Sequence, residues 1–476
     1  MARLRSLLRS LPGALLRPVD GAWLAAFRLL YGVVMAISIL RLIAYGWVER
    51  VFADSRFHFK YWGFEWVEPL SGAHMQTLAW VLAALALAVA AGFGTRWTMA
   101  VFALGLSYVQ LLDASTYLNH YYLSVLLAWL LCFSPASRVY SVDVWLRRRV
   151  LRRSDRAGAE VAAGWLYLLR FQVGIVYVFA GLAKFQTDWL IHAQPLRIWL
   201  GASTGVPILG PLLTLDWVPL AMSWAGFLFD TTIVGWLSFK KTRLYAYAVV
   251  IVFHVLTRVL FPIGMFPAIM TASALVFFSP SWPRLLLQRV RAALRLPVFR
   301  PHEAPAPSAV IPTPRFAHGV AMALGAAYCL VQLAVPLRAL AYGGNVLWHE
   351  QGMRFSWRVM VRAKGGDVTF LVVSKQTGKV WHVSPRSYLT RYQESEMEDQ
   401  PDLILQLAHH VKRDFAQRGF GDVEVRVEAR SSLNGRRGAA FIDPDLDLAS
   451  VRDGIGRASW ILPAPAEAPP HTRPVL

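Results

Sequence analysis

The length of its apolar runs constrains this chain more than any other feature. Blocks of about 20 residues recur along it, and about 20 residues is what an α-helix needs to cross the hydrocarbon core of a bilayer. Runs at about 22–47, 75–93, 97–113, 119–135, 163–183, 217–238, 243–261, 264–280 and 317–340 read as spans. In lipid each segment must satisfy its own backbone polar groups. The expected fold class is therefore a polytopic α-helical membrane protein with about nine spans. Composition agrees, since 56% of the 476 residues are hydrophobic and 16% charged, against about 25% charged in soluble domains.

The formal net charge of +20 raises nucleic acid as a partner, but its distribution argues against one. Arg and Lys concentrate at the N-terminus and in three segments between spans, at 138–156, 239–243 and 283–300. With nine spans and a cytoplasmic N-terminus, all four fall on the cytoplasmic side, as topology signals do. The loop 48–73, the segment around 113–119 and the region 184–216 then lie outside. No zinc-finger spacing, RNP-like stretch or long basic tail accompanies the charge, so the expected partner is membrane lipid and not nucleic acid. Residues 1–20 alternate arginine with leucine, and Arg9 and Pro12 break the apolar core a signal peptide needs. An amphipathic helix lying on the membrane is expected there.

Domain boundaries follow composition. Residues 1–300 form the transmembrane domain, 301–316 a proline-rich linker, and 317–340 the last span. Residues 341–460 then alternate apolar and polar positions in runs such as DVTFLVVS (367–374) and VEVRVEAR (423–430), the period of strands. One helix interrupts at about 401–417, with Leu403, Leu407 and Val411 on one stripe. A C-terminal extracytoplasmic α+β, β-rich domain is expected, followed by a disordered proline-rich tail at 461–476. Cys132 and Cys329 lie in apolar segments and read as packing residues.

Ionisable groups inside spans are costly and mark cavities or function. Lys184 ends an apolar helix, IVYVFAGLAKFQTDWL, and shares a face with Tyr177 and Gly181. Either its amine reaches the head groups or it does chemistry. His120 opens the fourth span beside Asn119 and two tyrosines, as an aromatic-belt anchor or as a site residue. His254 lies mid-span, one turn before Arg258, which calls for a polar cavity. Asp230 and Arg170 complete the set, readable as charges that hold helices together. No HExxH or GxxxxGK[ST] motif occurs, no GxSxG nucleophile elbow is read, and no metal site is expected.

Several motifs in order resemble the vitamin K-dependent γ-glutamyl carboxylase family and its bacterial membrane relatives carrying the HTTM (horizontally transferred transmembrane) domain. They are FRLLYG (27–32), YLNHYYL (117–123), FAGLAKFQTDWL (179–190), PLRIWLG (195–201) and FHVLTRVLFPIGMFPAIM (253–270), with FSWRVMVR (355–362) and FIDPDLDL (441–448) similar to the family's outer-domain strands. The resemblance implies carboxylation of peptide glutamate, with vitamin K hydroquinone, O2 and CO2 as co-reactants, quinone epoxide as second product, and no metal. Lys184 would be the base that takes a proton from the hydroquinone, His120 would position it, and His254, Arg258, Asn119, Tyr177 and Gly181 would line the pocket. The glutamyl peptide would bind on the outer face. Animal members carry a second lysine where this chain has Ala183. Competing readings are a non-catalytic membrane scaffold, a quinone-binding protein and, with less support, a transporter.

Overall fold

A computed structural model describes residues 11–151, 159–296 and 315–470. A helix forms in each of the nine apolar runs. They are α1 (Ala22–Ala44), α2 (Gly72–Ala91), α3 (Thr95–Leu112), α4 (Asn119–Phe133), α6 (Ala163–Lys184), α7 (Val218–Ser238), α8 (Arg243–Leu260), α9 (Phe266–Ser273) and α11 (Arg315–Leu337). Two basic helices, α5 (Val142–Arg149) and α10 (Trp282–Ala293), lie between them.

Among the described residues, six stretches are long and apolar enough to cross a membrane: Ala22–Ala44, Gly72–Ala91, Ala163–Lys184, Val218–Ser238, Arg243–Leu260 and His318–Ala341. The other three differ for local reasons. The α3 helix opens on Thr95 and Arg96, which lower its hydropathy. Helix α4 is 15 residues long and stops at Ser134, because the residue before Pro135 is pushed out of helical geometry. Helix α9 starts only after Pro262 and Gly264 and tightens into a 3-10 turn at Ala274–Phe277.

Four expectations change. Residues 11–16 are helical, but Pro18–Asp20 is a strand, β1, paired antiparallel with β2 (Glu160–Ala162) through Val19↔Val161; Pro18 has no N–H to donate to a helical ladder, which favours a break there. Residues 1–10 of the expected amphipathic helix lie outside the described residues. So does the linker up to residue 314, and its last two positions already belong to α11. FSWRVMVR is a series of turns, and FIDPDLDL holds only a bridge, Ile442↔Ile461. The tail stays packed to residue 470, with Trp348 Nε1 donating to Leu462 O (2.8 Å) and Gln194 Nε2 to Pro470 O (3.1 Å); residues 471–476 lie outside the description.

Helices pack closely where small residues allow it. A methyl group on Gly32 would lie 2.6 Å from both Ala86 O and Ala90 N, so the α1 and α2 backbones touch there. The fully enclosed Arg28 of the same FRLLYG motif donates to Ala136 O and Tyr140 O, each at 2.6 Å, and ties down the chain after α4.

The C-terminal domain is a four-stranded antiparallel sheet in the order β4-β3-β5-β6. Its strands are β3 (Lys364–Ser374), β4 (Val380–Val383), β5 (Val423–Leu433) and β6 (Ala439–Ala440). β3 and β5 pair from Lys364↔Leu433 to Ser374↔Val423. Alternation buries Val368, Phe370 and Val372 with Val423, Val425 and Val427. Helix α12 (Pro401–Gln417) lays Leu403, Leu407 and Val411 on that face. The domain rests on the helix ends. Gln406 exchanges two hydrogen bonds with the Lys60 backbone (2.8 and 3.0 Å), and Gln393 Nε2 donates to Asp113 Oδ2 (2.8 Å) and Phe57 O (2.7 Å).

Candidate active site

Helix α6 carries three of the expected site residues toward α7 and α8, in two layers. In the upper layer, a methyl on Gly181 would meet Thr231 Cγ2 at 2.6 Å and Thr231 N at 2.9 Å. The missing side chain thus lets α7 pack against α6 and brings Asp230 to Lys184. Lys184 Nζ donates to Asp230 Oδ2 (2.8 Å), Ala180 O (3.2 Å) and Val359 O (3.4 Å), and lies 5.2 Å from the Trp189 ring centre. The two side chains are 7% and 8% exposed. Lys184 therefore does not reach the head groups. An ammonium has three N–H donors and no lone pair, and here three acceptors surround it.

The lower layer lies at Tyr177, seven residues earlier, about 10 Å down the helix axis. Tyr177 OH is 3.1 Å from His254 Nε2. The imidazole is enclosed by Phe229, Phe253 and Phe266, and its Nδ1 has no partner. His254 thus sits in an aromatic box and not in the polar cavity its sequence context suggested. His120 faces the same Phe266 ring from α4 (6.3 Å), beside Tyr121 (4.4 Å), and a methyl on Gly264 would lie 3.5 Å from its Nε2. That nitrogen is also unpartnered. Both histidines are buried, which removes the belt-anchor reading of His120. Two unsatisfied imidazole nitrogens in one aromatic layer are unusual, because buried polar atoms normally find partners.

The remaining candidates separate from this group. Arg258 is exposed on α8 and does not line the pocket. Four residues turn a helix by about 400°, so it stands about 40° round from His254, and at the bundle rim its long side chain swings outward. Asn119 Oδ1 accepts from Tyr117 OH (3.1 Å), and that hydroxyl accepts from Phe355 N (2.7 Å); Asn119 therefore supports the contact with the C-terminal domain. Arg170 donates to Val276 O (2.8 Å) and to Phe277 O and Phe278 O (3.1 Å each), closing the end of the 3-10 turn after α9.

One segment beside the site, read in the sequence as a strand, folds differently. Between residues 350 and 360 four non-glycine residues adopt left-handed backbone: Glu350 (φ 61°), Phe355 (61°), Trp357 (57°) and Met360 (50°). Such positions cost energy and persist only where surrounding contacts hold them. Here Trp357 is fully buried in the core of the helical bundle, stacked on Tyr122 at 4.9 Å. Phe355 packs on Tyr117 (5.0 Å) and Tyr122 (4.9 Å). This plug from the C-terminal domain presents the Val359 carbonyl to Lys184.

Beside the plug a cleft of about 460 Å³ opens between the end of α6 and the C-terminal domain, lined by Ala183, Phe185, Gln186, Asn345, Leu347 and Arg358 among others. Asp188 on its wall is held by Arg436 (2.6 and 2.8 Å) and Asn434 (2.8 Å), whose hydrogen bonds keep its carboxyl below the usual range despite partial burial. Burial lowers the Arg358 guanidinium from its ordinary value, with no carboxylate opposing.

Comparison with protein families gives two matches. The HTTM domain model matches residues 16–282, more than half of the chain, and the model described as "Vitamin K-dependent gamma-carboxylase, lumenal domain" matches residues 317–467. No solved structure matches.

Proposed function

This chain belongs to the vitamin K-dependent gamma-carboxylase family, and we propose that it converts peptide glutamate to γ-carboxyglutamate, coupled to epoxidation of a reduced naphthoquinone by O2. The observation that carries this reading is the placement of Lys184. It is a buried primary amine paired with Asp230 (2.8 Å) where the helical bundle meets the outer domain, above two unpartnered histidine nitrogens.

The lower layer suits a flat hydroquinone. His120 Nε2 and His254 Nδ1 offer hydrogen-bonding atoms to its hydroxyls, and the phenylalanines offer apolar faces. When bound, the hydroquinone together with O2 supplies the strong base that removes the glutamyl γ-proton, and the resulting carbanion takes up CO2. Everything else falls to this chain's residues. His120 and His254 orient the hydroxyls, and Tyr177 fixes the His254 ring. Lys184 needs a lone pair before it can take a hydroxyl proton. Moving one proton from Nζ to Asp230 Oδ2 turns the ion pair into a neutral acid–amine pair and supplies that lone pair. Asp230 is thus the positioning residue and the local proton acceptor. Arg358 and the cleft would receive the acceptor carboxylate. The proposal takes the N-terminus as cytoplasmic, as the charge bias favours, and takes all nine apolar runs as crossings, which would put this cleft outside. No metal enters the scheme.

The completed hydrogen bonding of Lys184 favours one competitor, a quinone-binding scaffold in which the pair only locks α6 to α7. Incubating purified protein with reduced naphthoquinone, O2, labelled bicarbonate and a glutamate peptide separates the two. The proposal requires label in the peptide together with quinone epoxide, and neither product from folded protein leaves the scaffold.

A further inference from the structure

Arg41, near the end of α1, plays no part in the chemistry above, and it differs from the other arginines of the helical bundle. Arg28 and Arg170 spend their donors on main-chain carbonyls and so hold the fold together. The Arg41 guanidinium makes no hydrogen bond and no ion pair among the described residues, and its Nε is buried. A cation within a span normally pairs with a carboxylate or a carbonyl.

What Arg41 faces instead is His120. The point where a side chain on Gly264 would begin lies 3.5 Å from Arg41 Nη2 and 3.5 Å from His120 Nε2. Guanidinium and imidazole thus converge on one place, from α1 and α4, and the missing side chain keeps that place open. The His120 nitrogen is itself without a partner, and the rings of Tyr121 and Phe266 flank it. A guanidinium keeps its charge at any workable pH. Beside an unpartnered imidazole nitrogen and aromatic faces, it suits a flat ligand with an oxygen that becomes negative.

We propose that Arg41 is the cation that receives the hydroquinone oxygen once its proton has left, with His120 Nε2 as the second partner of that oxygen. This role rests on the carboxylase reading and deepens it. The hydroxyl proton goes to the lone pair of Lys184 Nζ, and the O–H electron pair stays on oxygen. A bare anion in an aromatic layer is costly, and a guanidinium already in place takes up the charge as it develops. Binding, read without turnover, tests the role. The full chain in lipid nanodiscs is titrated calorimetrically with lawsone, a hydroxynaphthoquinone that is an anion at neutral pH and shares its charge with a ring carbonyl oxygen. Its uncharged methyl ether is the second probe, and empty nanodiscs give the lipid background. The protein should bind the anion more tightly than the ether by about tenfold, the scale of one charge-assisted hydrogen bond. Arg41→Gln should abolish that preference and still bind the ether. Arg258→Gln, which removes an exposed arginine one turn from His254, should leave the preference unchanged. Gly264→Ala puts a methyl at the convergence point and should weaken both probes. A preference that survives in Arg41→Gln overturns the role of Arg41 and leaves the quinone pocket standing. Equal loss in Arg258→Gln would mean bulk charge and overturn the role as well, and undiminished binding in folded Gly264→Ala would place the site elsewhere. Failure of folded wild-type protein to bind either probe would overturn the quinone pocket itself. Bicarbonate at millimolar concentration should not displace lawsone; displacement would reassign Arg41 to a carboxylate-type anion and overturn the proposal.

Discussion

Gly181→Ala tests whether helix approach sets the geometry of the amine. Its new methyl would lie 2.6 Å from Thr231 Cγ2, 2.9 Å from Thr231 N and 3.2 Å from Asp230 C. Non-bonded carbons settle at about 3.5–4.0 Å, so α7 must retreat from α6 by about 1 Å. Overpacking of this kind costs about 1–3 kcal/mol. The larger effect falls on function, because the retreat carries Asp230 with it and lengthens the 2.8 Å pair. A misplacement of about 1 Å in a catalytic constellation costs about 100-fold. At matched amounts of folded protein, epoxide formation should therefore fall about 100-fold, and Asp230→Asn should match it. Adding Thr231→Ala should recover only part, since it removes the Cγ2 clash and leaves the two backbone contacts. Gly174→Ala is the control on the same helix pair: its methyl meets only the Val234 side chain, at 3.3 Å, and activity should stay within about twofold, the range of a small adjustment. A Gly181→Ala enzyme with near-normal turnover would refute the claim that this contact sets the pair.

Four further outcomes follow. Lys184→Arg should be as inactive as Lys184→Ala in epoxide formation, because guanidinium keeps its proton at any workable pH; an active Arg variant removes Lys184 as the base. His254→Ala should lower hydroquinone use by more than it lowers thermal stability, and wild-type epoxide formation in that variant makes His254 structural. A reporter that fluoresces only in the cytoplasm should stay dark at the C-terminus, with bright signal meaning an even number of crossings. In the C-terminal domain, burial holds the Glu396 carboxyl up at about 7, with Arg362 opposing and Asp399 adding. The folded state then keeps a proton that the unfolded chain releases above about 4.5, so stability should fall as pH rises from 4.5 to 7, by about 3 kcal/mol at most. Glu396→Gln should flatten that slope in thermal unfolding at pH 5 and 7.5, and an unchanged slope places the titration elsewhere.

Much of the fold was legible because it rests on period. Nine apolar runs became helices, and the β3 and β5 strands and the Leu403–Leu407–Val411 stripe fell where alternation and helical spacing put them. The failures lie where tertiary contact overrides pattern. Val359 and Val361 alternate as in a strand, yet the segment is a strained plug because Trp357 is buried among the membrane helices. The tail looks unstructured by composition, and backbone acceptors at Leu462 and Pro470 hold it.

The site was half legible for the same reason. Sequence spacing puts Tyr177, Gly181 and Lys184 on one face of α6, and the structure uses that face. What each residue meets is a property of the partner helix. Asp230 was visible only as an ionisable residue within a span; its pairing with Lys184 depends on a contact 46 positions away that Gly181 permits. The third acceptor of the amine is a main-chain carbonyl, Val359 O, 175 positions away, and a carbonyl has no side-chain signature. Arg258 shows the converse error, since shared helical phase with His254 does not bury a side chain at the bundle rim. The amine is therefore held by two helices and one loop of the C-terminal domain at once. In the proposed scheme Asp230 takes its proton while Ala180 O and Val359 O hold the two hydrogens that stay, which makes the loop as much a part of the site as Asp230.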